Sequence, residues 1–179
     1  MPILRLEDQR TVPWRNGRGV TVEVCVVPAG ADLDAFDARL SIAAIDADGP
    51  FSPFPGVDRV LFLLDGAGVD LFGPEGAVRL SRPGDRLRFL GESAVMARLV
   101  DGPVRDVNWM TRRDRVAGEA TWARLDGELV LKDEYSVALV IDGQLSADGV
   151  LLRRLDVVQG PGVVLGTGTV VQASARVGG

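Results

Sequence analysis

Arg39 and Ser41 are a pair whose types and spacing suggest chemistry. They lie in the segment Ala38 to Ile45, A-R-L-S-I-A-A-I. Read at the two-residue period of a strand, Leu40, Ile42 and Ala44 share one face, and Arg39, Ser41, Ala43 and Ile45 share the other. A guanidinium presents paired planar donors that match a carboxylate. A face carrying it is either an edge turned to solvent or the polar floor of a cavity, and the strand alone leaves both open. A second polar pair, Asp58-Arg59, stands where a loop feeds an apolar run, at the mouth of a rigid scaffold. For Asp58, Arg59 and Asp106 the favoured reading is a buried Asp–Arg pair that ties loops together.

Other chemistry is limited by composition. The 179 residues contain no histidine and one cysteine, Cys25. A Ser-His-Asp or Cys-His mechanism cannot be assembled from this chain. Soft-metal sites are nearly excluded, and no acidic loop looks suited to Mg²⁺ or Ca²⁺. No cofactor is expected. Cys25, among Val24, Val26 and Val27, reads as a buried strand residue. The net charge of −5 and pI near 4.8 give no footprint for nucleic acid. No apolar run approaches membrane-spanning length, and the charged first ten residues lack a signal-peptide core, so a cytoplasmic location is expected.

The elements that must position these residues are short strands. Pro50, Pro53 and Pro55 stiffen an entry loop over residues 50–56, with Phe51 and Phe54 as apolar anchors. Val60 to Leu64 follows as a strand buried on both faces, and Asp65-Gly66 reads as a tight hairpin turn. Short strands then recur between Gly- and Pro-rich turns, which predicts an all-β fold of antiparallel sandwiches or barrels. The stretch from Asp114 to Thr121 is polar and reads as a linker. It divides the chain into a first unit over residues 1–113 and a reduced second unit over 114–179. An internal echo supports two related units: V-L-F-L-L-D-G from Val60 resembles V-A-L-V-I-D-G from Val137, and L-S-R-P-G-D from Leu80 has a shorter counterpart in L-R-R-L-D from Leu152.

The strand, Asp-Gly turn, strand and Pro-Gly-Asp turn are similar to the cupin pattern, a small jelly-roll barrel, but the histidines that usually bind metal in cupins are missing. A closer likeness is carried by Trp14-Arg15-Asn16-Gly17-Arg18-Gly19 with Thr21 and Glu23, by Arg39-x-Ser41-x-Ala43, by G-P-F-S-x-F-P-G-x-D-R from Gly49 through Arg59, by Phe89-x-Gly91 and by Asp106-x-Asn108-x-Met110. In that order these resemble the HutD/Ves family, with Arg18 in place of the middle glycine of the family's triplet. The resemblance implies a bicupin, two cupin-like jelly-roll units, with a ligand pocket in the first. It further implies a regulator that accompanies histidine-utilisation enzymes and senses an intermediate such as formylglutamate.

In a barrel of that kind the mixed face of the Arg39 strand can line the interior. The candidate ligand-binding residues are then Trp14, Asn16, Arg39, Ser41, Ser52, Phe54 and Asn108, with Arg39 as receptor for a small carboxylate metabolite. Asn16, Ser41, Ser52 and Asn108 would supply neutral hydrogen bonds, and Trp14 and Phe54 apolar walls. Trp109 is assigned to core packing. No catalytic residue is assigned. The competing readings are a metal-independent isomerase or hydrolase using carboxylates such as Glu23, Asp58 or Glu92, and a scaffold whose second unit forms a homodimer interface.

Overall fold

The structure, a computed structural model, describes residues 1–13 and 20–177. Trp14 and Asn16, with the rest of the glycine-rich turn, lie outside the described residues. Among the described residues, the one helical segment is a three-residue 3-10 turn, Leu6–Asp8, and no helix is long and apolar enough to cross a membrane.

The described residues form sixteen strands in three antiparallel sheets. The first sheet has the order β2 (Arg10–Pro13), β3 (Val20–Val27), β4 (Ala38–Ile45), β11 (Val104–Arg112), β6 (Val57–Asp65), β9 (Arg86–Leu90). A second sheet lies against it, with the order β5 (Gly49–Pro50), β10 (Met96–Leu99), β7 (Val69–Gly73), β8 (Gly76–Leu80). The third sheet runs β1 (Ile3–Leu4), β15 (Val157–Gln159), β13 (Val137–Ala147), β16 (Gly162–Val177), β12 (Val116–Leu131), with β14 (Val150–Leu152) paired to β13. Antiparallel sheets with two differently covered faces explain the alternation in these strands.

Both faces of the first sheet are covered. Leu40, Ile42, Val60, Phe62, Val107 and Trp109 face the third sheet and meet Val116, Leu139, Val171 and Ala173 in one buried layer. On the opposite face Ile45, Leu61, Leu63 and Val104 meet Val69, Leu71, Leu80 and Ala97 of the second sheet. Each large apolar side chain buried in this way contributes roughly 1.5–3 kcal/mol. The third sheet encloses a further aliphatic core around Leu131, Val140, Leu145, Val158 and Val164.

Three expectations change. Asp65-Gly66 does not close a hairpin: β6 pairs with β11 and β9, whereas β7 pairs with β10 and β8, so the chain crosses here from one sheet to the other. The Asp65 carboxylate instead receives Arg105 Nε at 2.9 Å and Arg154 Nη2 at 3.0 Å, which ties β6 to β11 and to the turn before β15 at this corner. The stretch from Asp114 to Thr121 is no linker, because β12 begins at Val116. Its polarity is that of one strand face: Ala117 and Glu119 point outward or are half-covered, while Val116 and Ala120 are buried. Finally, β1, expected with the first unit, pairs with β15 of the third sheet.

The internal echo has a structural counterpart. In the first copy Leu63 N–H donates to the Asp85 carbonyl and Gly84 N–H to the Leu63 carbonyl, both at 2.9 Å. In the second, Val140 N–H donates to the Asp156 carbonyl at 2.9 Å and Leu155 N–H to the Val140 carbonyl at 2.8 Å. Each aspartate also accepts from the backbone of its own turn: Asp85 from Ser81 and Arg82, Asp156 from Arg153. Gly84 and Leu155 both adopt positive φ, 89° and 68°. The turn therefore dictates the backbone conformation, and burial of the Leu155 side chain offsets its strain in the second copy.

Candidate functional site

Strand register brings the polar residues of the first unit to one place. Met110 of β11 lies between Arg39 of β4 and Arg59 of β6. Asn108 lies between Ser41 and Leu61, and Asp106 between Ala43 and Leu63. Glu23 of β3 pairs with Ser41, and Phe89 of β9 pairs with Arg59. Directly paired residues project from the same face. All of these therefore share the inward face of the first sheet, next to the apolar patch made with the second sheet.

Arg39 is 6% exposed. Its Nε donates to Glu23 Oε2 at 3.2 Å and its Nη1 to Ser41 Oγ at 3.1 Å, with Met110 Sδ at 3.9 Å. Burial lowers its pKa, and the Glu23 carboxylate opposes that shift. The mixed face of this strand is thus an interior one, and Arg39 is already partly neutralised by Glu23.

Arg59 is 4% exposed and sits in an aromatic cage. Its guanidinium carbon lies 4.7 Å from the ring centre of Phe89, 5.1 Å from Phe51 and 5.6 Å from Phe54. The faces of aromatic rings attract a cation, and more strongly when water is excluded. Its Nη1 reaches the Ser52 carbonyl at 3.4 Å, and among the described residues its Nε has no partner. Burial pushes its pKa down to about 10, Asp106 pulls it up, and the neighbouring Arg39 adds to the depression. It stays charged at neutral pH.

Asp106 is 1% exposed, and among the described residues neither carboxylate oxygen has a hydrogen-bond partner. Loss of hydration pushes its pKa up to about 7, against the pull of Arg59. Asn108 Oδ1 beside it is likewise buried and unpartnered. A buried polar group without a partner costs on the order of 1–3 kcal/mol. Four such atoms on three neighbouring side chains make an unmet demand for hydrogen bonds.

The Asp106 shift has a testable consequence for stability. Its folded-state pKa is raised above the ordinary value of 3.8. The native state therefore holds a proton that the unfolded chain releases between about pH 4 and 7. This contribution is full at low pH and falls by about 1.4 kcal/mol per unit as pH rises through that window. Urea unfolding of the wild type and Asp106→Asn across pH 4 to 8 should show the variant gaining on the wild type as pH rises. A constant difference would mean that Asp106 is ionised throughout.

The remaining sequence candidates divide. Phe54 is in the cage, and Ser41 and Asn108 are in the cluster. Ser52 contributes its carbonyl, while its side chain is exposed. Trp14 and Asn16 lie outside the described residues. Trp109 packs on the opposite face, in the layer between the units. Arg59 and Asp106 share the cluster without a hydrogen bond to each other, and Arg59 ties the proline loop, as expected, through the Ser52 carbonyl and the Phe51 and Phe54 rings. Asp58 is half-buried at the rim instead, where with Glu92 it holds Arg113. The alternation of Asp106, Asn108 and Met110 with Val107 and Trp109 was the available signal for an interior polar row. The donor set does not fit a divalent metal, because two guanidiniums stand among the carboxylates. An open cleft of about 610 Å³ lies elsewhere, at the seam between the units, beside Trp122, Asp142, Arg153 and Arg154. Its charged groups are exposed or paired, so nothing in it calls for a ligand.

Comparison with known proteins bears on the fold and the family. The chain is 36% identical over 140 residues to an uncharacterised 21.2 kDa protein from the hutC 3' region of Pseudomonas putida, covering 78% of this chain and 72% of that one. It is 45% identical over 112 residues to protein Ves of Citrobacter koseri, covering 60% of this chain and 58% of Ves. Among solved structures, HutD from Pseudomonas fluorescens SBW25 superposes with a TM-score of 0.82 at 30% identity, over 98% of both chains. A cupin 2 barrel protein from Leptotrichia buccalis shares the fold, with a TM-score of 0.63 at 11% identity over 92% of both chains. The family model described as HutD matches residues 6–170, and the chain belongs to that family.

Proposed function

We propose that the chain is a cytoplasmic, non-catalytic binding protein for a small carboxylate metabolite, held in the polar cluster of the first barrel. The observation that carries this reading is the buried Arg59 Nε donor, without a partner among the described residues, while the unpartnered Asn108 Oδ1 acceptor beside it suits a ligand N–H. A carboxylate would complete the donors of Arg59 and share those of Arg39, while the Phe51, Phe54 and Phe89 rings exclude water and strengthen each contact. Family membership supports a regulatory role in histidine utilisation, with formylglutamate as the first metabolite to test. The carboxylates of a competing enzymatic reading are engaged elsewhere: Glu23 with Arg39, and Asp58 and Glu92 with Arg113.

Calorimetric titration with N-formyl-L-glutamate tests this reading. The wild type should bind, and Arg39→Ala should bind about tenfold or more weakly, the worth of one charged hydrogen bond. Equal affinities would remove Arg39 from the site.

A further inference from the structure

The carboxylate reading leaves a problem that the geometry resolves. Asp106 lies in the same buried cluster, and its charge acts on Arg59, the guanidinium that would receive the ligand. If it is ionised, a second carboxylate must enter beside it with little water to screen the repulsion. Its register partners are Ala43 and Leu63, and the charged groups on the same sheet face are Arg59 on β6, Arg39 on β4 and Glu23 on β3, with Arg10 of β2 exposed at the end of the row. Its own strand adds only Asn108 and Met110, and the opposing sheet presents Val69, Leu71, Leu80 and Ala97. With Asp106 ionised, two guanidiniums balance two carboxylates and the cluster is neutral. With Asp106 protonated, one positive charge is left over, which is the charge that a single carboxylate cancels.

We infer that Asp106 is the specificity residue of this site: it is a neutral carboxylic acid in the complex, donates its hydrogen to the bound ligand carboxylate, and so makes binding proton-coupled and limits the buried cluster to one ligand carboxylate. The inference rests on the carboxylate reading above. No covalent bond changes. The ligand enters ionised, and wherever Asp106 begins ionised, one proton is taken from solvent for each ligand bound. Both oxygens of Asp106 lack a partner among the described residues, so one can donate to the ligand while the other accepts from a ligand N–H or a water. Further ionised groups on the ligand must remain at the barrel mouth.

Titration calorimetry of the whole protein with N-formyl-L-glutamate decides this. Its carboxyl groups stay ionised from pH 6 to 9, so any linked proton belongs to the protein. Runs at pH 8 in two buffers of different ionisation enthalpy should show close to one proton taken up per ligand. Affinity should fall about tenfold per pH unit above about pH 7. In Asp106→Asn, whose amide can still donate, the affinity should be flat across that range. Binding of equal strength at pH 6 and 9 without proton uptake would overturn the inference while leaving the carboxylate reading intact. Absence of binding at every pH would overturn the carboxylate reading itself. The buffer comparison uses only the wild type, so the result does not depend on the variant folding.

Discussion

Replacing Arg59 with methionine should leave a folded protein that no longer binds a carboxylate, with affinity for N-formyl-L-glutamate lowered at least a hundredfold. Arg59 is the site cation without a carboxylate hydrogen-bonded to it. Arg39 already donates to Glu23, whereas Arg59 has a free Nε and one long contact to the Ser52 carbonyl. Truncating a buried charged donor of this kind costs several kcal/mol of binding. Methionine keeps the apolar volume among Phe51, Phe54 and Phe89, and sulfur packs well against rings. It also removes the cost of keeping a guanidinium out of water, so stability should change little. Arg59→Ala should differ. It empties the space between three rings, and unfolding should show a loss of about 3 kcal/mol, in the range for large-to-small core changes. Both variants should push the Asp106 pKa further up, because Arg59 is the charge that opposes its desolvation. Wild-type affinity in Arg59→Met would show that the ligand engages another group.

Gly91→Ala should cost both stability and binding although residue 91 lies outside the cluster. Gly91 N–H donates to the Val57 carbonyl at 2.7 Å, and the Gly91 carbonyl accepts from Phe54 N–H at 2.8 Å. This pair of bonds fixes the proline loop to the turn after β9. A β-carbon at residue 91 would press on the Phe54 carbonyl oxygen and lie 2.9 Å from that of Val57. Backbone atoms cannot rotate away, so the loop must move. The strain should be about 1–3 kcal/mol, the usual range for forced overpacking. Displacement of Phe54 and of the Ser52 carbonyl opens the cage to water, and affinity should fall about tenfold or more. Chemical denaturation and calorimetry on the same sample separate the two effects. A variant with reduced stability and full affinity would mean that the loop is not part of the site.

Much of this arrangement was legible in the sequence, and the reason is local. The two-residue alternation around Arg39 and Ser41 identifies their shared face without any partner strand. The G-P-F-S-x-F-P-G-x-D-R string marks the loop that becomes the cage. Polarity misled where a strand has one wet face: Glu119 made the start of β12 look like a linker. Asp65-Gly66 has the composition of a hairpin turn, and only the pairing of β6 and β7 with different neighbours reveals a corner between sheets. That Arg59 and Asp106 share the Arg39 face depends on register. Four positions apart from Met110 and two from Asn108, Asp106 falls on the Arg39 face only because β11 is aligned so that Met110 meets both arginines. That alignment involves residues far apart in the chain, and composition carries no trace of it.

The most direct test of the central claim is a crystal structure of the protein with N-formyl-L-glutamate. A ligand carboxylate should lie within hydrogen-bond distance of Arg59 Nε and of Asp106, against the Phe51, Phe54 and Phe89 rings. A structure of the complex with the ligand held elsewhere, for instance in the cleft beside Trp122, and with Arg59 and Asp106 still unpartnered, would contradict the account.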